Sequence, residues 1–74
     1  MNLKVDFENP IIEEEQVLQI QIADLDDFYI AAGDLDKDNL FFMLLTSLHY
    51  YESNADVIRA AHLSFLIAYY VFVP

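Results

Sequence analysis

The chain has no cysteine and no tryptophan, and only one glycine, two prolines and three basic residues in 74 positions. Each shortage excludes something. Without cysteine there is neither a disulfide nor a thiolate metal site, and two histidines, His49 and His62, do not make a structural zinc centre. A single glycine, Gly33, cannot build a phosphate-cradling loop. Lys4, Lys37 and Arg59 give phosphate neutralisation almost nothing to work with, so direct nucleic-acid binding is excluded. Neither Ser47 nor Ser64 stands in a nucleophile-elbow setting, which leaves no catalytic set, and the reading is non-enzymatic with no cofactor and no metal. Residues 1–6 show no basic segment followed by an apolar run, so no signal peptide is read and the expected location is cytoplasmic.

What the chain does have is apolar side chains and carboxylates, and it keeps them apart. It is 57% hydrophobic, yet its net charge is −10. Disorder requires low hydrophobicity together with high charge, so an acidic disordered tail is not expected. Eleven of the thirteen acidic residues precede Asn39; only Glu52 and Asp56 follow it. One domain is all this length allows, and a chain so short hides only about 60% of its unfolded surface. Its stability must come from packing, with itself or with another chain.

Residues 2–8 alternate, with Leu3, Val5 and Phe7 opposed to Lys4, Asp6 and Glu8, which reads as a short strand or an extended arm ended by Asn9-Pro10. Val17, Leu18, Gln21, Ile22, Leu25, Phe28 and Tyr29 recur at spacings of three and four. They predict a first helix over about 12–31, closed by Gly33 and opened by Glu13-Glu14-Glu15, whose carboxylates suit a helix N-terminus. The competing reading is a strand at 18–22, where Leu18-Gln19-Ile20-Gln21-Ile22 alternates strictly. Residues 34–38 read as a loop in which Asp38 or Asp36 caps a second helix over about 39–51. Ser53 and Asp56 suggest a capping box for a third helix over about 54–72. A hinge that short forces the last two helices into an antiparallel hairpin in which facing positions sum to about 106–108. The expected fold is therefore mainly α: three helices plus an N-terminal arm or short strand.

Asp34, Asp36 and Asp38 have the opening spacing of a calcium loop, but Asn39 and Leu45 stand where its turn glycine and bidentate Glu belong. On the pairing above, His49 faces about 57–59, leaving His62 about a turn away and a shared metal out of reach. The residues from Ala60 onward carry no formal charge apart from His62, yet fifteen are fewer than the ~20 a bilayer span requires, so a membrane role is not favoured.

The surplus is telling. From Leu63 to Val73 apolar residues run all the way round a helix, more than the preceding residues can cover. The expectation is a homo-oligomer or an obligate complex formed through Phe65, Leu66, Tyr69, Tyr70 and Phe72. A rival explanation is that downstream residues supply the cover. Glu13, Glu14, Asp24, Asp26, Asp27, Asp34 and Asp36 form a candidate acidic face for a basic partner. The leading functional expectation is a small acidic inhibitor, of the immunity-protein or antitoxin kind, that masks a basic protein such as a nuclease. The alternative is a structural or assembly subunit, or a chaperone-like adaptor, acting through the apolar C-terminal helices.

Overall fold

In a computed structural model, which describes Leu3 and residues 8–72, the chain is mainly α-helical. The elements are α1 (Glu14–Val17), α2 (Ile22–Ala31), α3 (Asp34–Ser53) and α4 (Val57–Phe72). No strand occurs among the described residues. Of the arm or strand expected over 2–8, only Leu3 and Glu8 are described; Leu3 is half-buried against the core, and the rest of that expectation lies outside the described residues.

The predicted hairpin is present, with α3 and α4 packed along each other. The Tyr70 hydroxyl donates to the Lys37 carbonyl at 2.9 Å, which brings the end of α4 to the start of α3. Those positions sum to 107, within the register that a turn near Ser53 implies. Leu40, Met43, Leu44 and Tyr51 of α3 meet Leu63, Leu66 and Tyr70 of α4 in one core, closed on its remaining side by Ile12, Val17, Ile20 and Leu25.

The element boundaries differ from expectation in three places, each for a local reason. The helix expected over 12–31 is two: on a single straight helix Ile20 and Leu25, five residues apart, would lie about 140° apart, yet here both are buried in the same core. The chain turns at Leu18 and extends through Gln21. A new N-terminus then forms, where the Gln21 N–H donates to the Asp24 carboxylate at 2.8 Å. The alternation over 18–22 therefore belongs to a turn and an extended link rather than to a strand.

Second, the loop expected over 34–38 is the opening of α3. Gly33 is its N-cap, in ordinary extended backbone (φ −76°, ψ 170°), and Asp34 and Asp36 lie in the first turn, where carboxylates face the positive end of the dipole. Five more residues of helix result, and the acidic run that looked like a loop is a helix start.

Third, Ser53 does not cap α4. It lies inside α3 and donates to the His49 carbonyl at 2.9 Å. Asp56 caps instead, accepting the Arg59 N–H at 3.2 Å, so α4 begins at Val57 rather than near 54. Between the helices, the Asp56 N–H donates to the Tyr51 carbonyl (2.9 Å) and the Ala55 N–H to the Glu52 carbonyl (3.1 Å). This is a Schellman closure, and it requires a left-handed residue at Ala55, whose φ is 56°.

The segment before α1 is stitched to α3 by polar groups buried in the core. Ser47, with no exposed surface, accepts the Ile12 N–H (2.9 Å) and donates to the Met43 carbonyl (2.8 Å), with the Pro10 carbonyl at 3.3 Å. The Tyr51 hydroxyl donates to the Ile12 carbonyl. Both backbone groups of Ile12 are thus satisfied by α3 side chains, which lets a non-helical strand of chain enter the core without orphaned hydrogen bonds.

Candidate interaction surface

Helix α4 has two faces of similar chemistry. Leu63, Leu66 and Tyr70, at spacings of three and four, point into the core. Val57, Ile58, Ala61, Ser64, Phe65, Ala68, Val71 and Phe72 are all exposed, and none can carry a charge. Val57, Ile58, Phe65 and Phe72 are each more than half exposed. Of the helix's two ionisable side chains other than its tyrosines, Arg59 lies away from this surface and His62 flanks it, its ring centroid 6.4 Å from that of Phe65. Arg59 turns toward α1, its Nε donating to the Glu14 carbonyl (2.8 Å) and a terminal nitrogen to the Asp56 carboxylate (2.9 Å). His62 Nε2 lies 2.8 Å from the Ile20 carbonyl.

Burial divides the five apolar residues expected to meet a partner. Phe65 and Phe72 are exposed and Tyr69 is half-buried, but Leu66 has no exposed surface and Tyr70 almost none. Leu66 and Tyr70 are corrected to core residues, since their side chains are already spent on α3 and α2. The residues missed on sequence are Val57, Ile58, Ala61, Ser64, Ala68 and Val71. A signal for them was present in the spacing of positions 57, 61, 64, 68 and 71, alternately four and three apart, which is the stripe of an apolar helix seam.

Between this stripe and α3 runs a shallow groove of about 360 Å³, bordered by Leu48 and Glu52 on one side, Val57, Ala60, Ala61 and Ser64 on the other, and Ala55 and Asp56 of the turn at its end. It has no catalytic constellation. A second cleft, of about 560 Å³, lies between the 9–15 segment and the end of α3, lined by Ile11, Glu13, Glu14, Glu15, Tyr50 and Asp56 among others.

The carboxylates expected to form one acidic face occupy different places. Glu13 and Glu14 sit with Asp56 beside the start of α4. Asp26 accepts the Tyr69 hydroxyl at 2.9 Å, near its end. At ~1.5 Å per residue, Arg59 and Tyr69 mark positions about 15 Å apart along the helix. Asp24 is engaged at the N-terminus of α2, and the Gln21 N–H holds its carboxyl below the usual range. Asp34 lies 4.0 Å from the Lys37 ammonium, which also sits 4.1 Å over the Tyr29 ring. Asp27 and Asp36 are exposed.

For Asp56, partial desolvation works against ionisation, but the hydrogen bonds from the Arg59 backbone and guanidinium outweigh it and its pKa is lowered. Three tyrosines shift upward: Tyr51 and Tyr70 chiefly through burial, Tyr69 chiefly through its hydrogen bond to Asp26.

Among the described residues no group of histidines and carboxylates is placed to hold a metal ion, and no helix is long and apolar enough to cross a membrane. No family model matches the chain, and neither a curated protein nor a solved structure matches it.

Proposed function

We propose that the chain is a non-enzymatic protein-interaction module, an assembly or adaptor subunit that works through the outer face of α4. The observation that carries this reading is the unbroken exposure of eight uncharged residues along a 16-residue helix whose opposite face is core. A chain with net charge −10 has ample means of coating that face with carboxylates and does not. Exposed apolar surface of this continuity is a docking site rather than a solvated face.

A second reading, a small acidic inhibitor that masks a basic partner, is favoured by a different observation. Arg59 and Lys37 are both engaged within the chain, which leaves exposed carboxylates such as Asp27 and Asp36 to set the surface potential. On that reading association is steered by charge and weakens with salt.

A photo-crosslinking residue placed in cells at position 65, and in parallel at position 27, tests the two. The assembly reading expects a discrete adduct from position 65 that disappears when Ala68→Glu is added. Adducts from position 27 alone would overturn it in favour of the acidic reading.

A further inference from the structure

We infer that a second copy of this chain covers the outer face of α4, the two α4 helices pairing antiparallel about a two-fold axis at Ser64. The inference rests on the reading of α4 as a docking face and adds the identity of the occupant.

The first argument is the order of side chains in the stripe. Positions 57, 61, 64, 68 and 71 hold Val, Ala, Ser, Ala and Val, a palindrome in both size and chemistry, and all five are exposed. An isologous two-fold contact requires a surface to be complementary to itself, residue by residue. Antiparallel pairing about Ser64 sets Val57 against the partner's Val71, Ala61 against the partner's Ala68, and Ser64 against its own copy. The small residues at the centre permit a close helix approach, toward the short end of the ~8–10 Å interaxial range. Ile58, Phe65 and Phe72, seven residues apart, flank the stripe on one side. A two-fold axis perpendicular to the helix pair brings both flanks to the same side, so the two Phe65 rings cover the centre of the seam together.

Charge supplies the second argument. Two copies each carrying −10 repel, and high net charge ordinarily keeps such chains apart. The eight exposed residues of the outer face of α4 bring no carboxylate of their own to a contact between copies, although Glu52 and Asp56 border it at Val57 and Asp34 and Asp38 border it at Val71. A basic partner, by contrast, would be drawn toward Asp27, Asp36 or Glu13. Antiparallel packing also places the positive N-terminal end of one α4 beside the negative C-terminal end of the other.

Area is the third. Phe65 and Phe72 are 53% and 84% exposed. At ~150–250 Å² per aromatic side chain they alone offer on the order of 300 Å² per copy. Val57 and Ile58, each more than half exposed, and Val71, 49% exposed, bring the face toward the ~600 Å² per partner of a small specific interface.

Sedimentation equilibrium on the full chain, across a wide concentration range and at low and high salt, is the first test. The expected result is a dimer that salt leaves unchanged or tightens. A monomer throughout overturns the inference. Ser64→Arg, which places two like charges at the axis, should raise the dimer dissociation constant by on the order of 100-fold or more while the circular-dichroism spectrum stays helical. A dimer indifferent to Ser64→Arg also overturns it.

Because the chain has no cysteine, orientation can be read by oxidative crosslinking. A mixture of Val57→Cys and Val71→Cys chains should crosslink to each other. Val57→Cys crosslinking to itself instead would mean parallel helices and would overturn the register. If the wild type is a monomer yet position 65 crosslinks a different protein, the docking role of α4 stands and the second copy falls. If position 65 crosslinks nothing, both fall.

Discussion

The inner and outer faces of α4 differ little in hydrophobicity and entirely in surroundings. Leu63, Leu66 and Tyr70 are packed against α3 and α2, while Phe65 and Phe72, from the same run of sequence, are exposed. Composition therefore does not decide which apolar residues form the core of this chain. Geometry does: α3 supplies one facing surface, the 12–25 region supplies the other, and none of the described residues covers the third side of the helix. The most damaging substitution should be the one that attacks the inner face. Leu63→Ala removes a fully buried side chain and is expected to cost about 2–5 kcal/mol. A domain of this length holds only about 4–11 kcal/mol in all. Urea unfolding should show the midpoint falling sharply.

A smaller effect is expected where the core is polar. Ser47→Ala orphans the Ile12 N–H in a site with no access to water, at a cost of about 1–3 kcal/mol, and Tyr51→Phe does the same to the Ile12 carbonyl. Both anchor the same residue, so the double variant should cost less than the sum of the two singles, measurable as a coupling in a double-mutant cycle. Additivity would show that Ser47 and Tyr51 hold the segment independently.

The hairpin and its register were legible because they rest on long apolar runs and one short hinge, the most robust signals a sequence carries. The break between α1 and α2 was not, since Val17, Leu25 and Phe28 fit a single helix as well as two. What splits it is tertiary: Ile20 and Leu25 must both reach the core, and the extended link at Gln21 turns them to the same side. The acidic start of α3 was misread for a related reason. Asp is a poor helix former in general but a good one in a first turn, and the first turn lay five residues earlier than the apolar pattern indicated. At the candidate surface, an all-apolar helix gives no hint from composition of which face is covered. Phe65 and Leu66 were therefore read alike, and only Leu66 proved to be core.

The tyrosine and aspartate shifts bound the pH range over which the two faces of α4 can be compared. Tyr51, Tyr69 and Tyr70 have folded pKa values above the unfolded value of about 10. The stability they contribute is complete below that pH and is lost as pH rises through their folded values, when the unfolded chain ionises first. Asp24 and Asp56 have lowered folded values, so their contribution is present above about pH 4 and disappears as pH falls through the folded values. Thermal melts should therefore be flat from about pH 5 to 9 and decline outside it. A decline beginning at neutral pH would contradict this assignment.

A gain of about 1 kcal/mol is expected from Ala55→Gly. Ala55 occupies the left-handed position of the closure between α3 and α4, where a Cβ is strained by about 1–2 kcal/mol relative to glycine. Part of that gain is returned through the greater freedom of glycine in the unfolded chain. An unchanged or lower midpoint would mean that the turn does not hold Ala55 in this conformation in solution.

One adjacent pair of substitutions sharpens the comparison most. Phe65→Asp and Leu66→Asp alter adjacent residues in the same helix by the same chemistry, one on each face. Both are best made in the Ser64→Arg background, where self-association no longer adds to apparent stability. Leu66→Asp buries an unpaired carboxylate among Leu40, Leu44 and Leu63 and should unfold the chain or nearly so. Phe65→Asp places its carboxylate in water and gives up only the half of the ring that the monomer covers, so it should cost no more than about 2 kcal/mol. Any larger loss at Phe65 would mean that the outer face is packed within the monomer, and the surplus apolar surface on which the docking role depends would not exist.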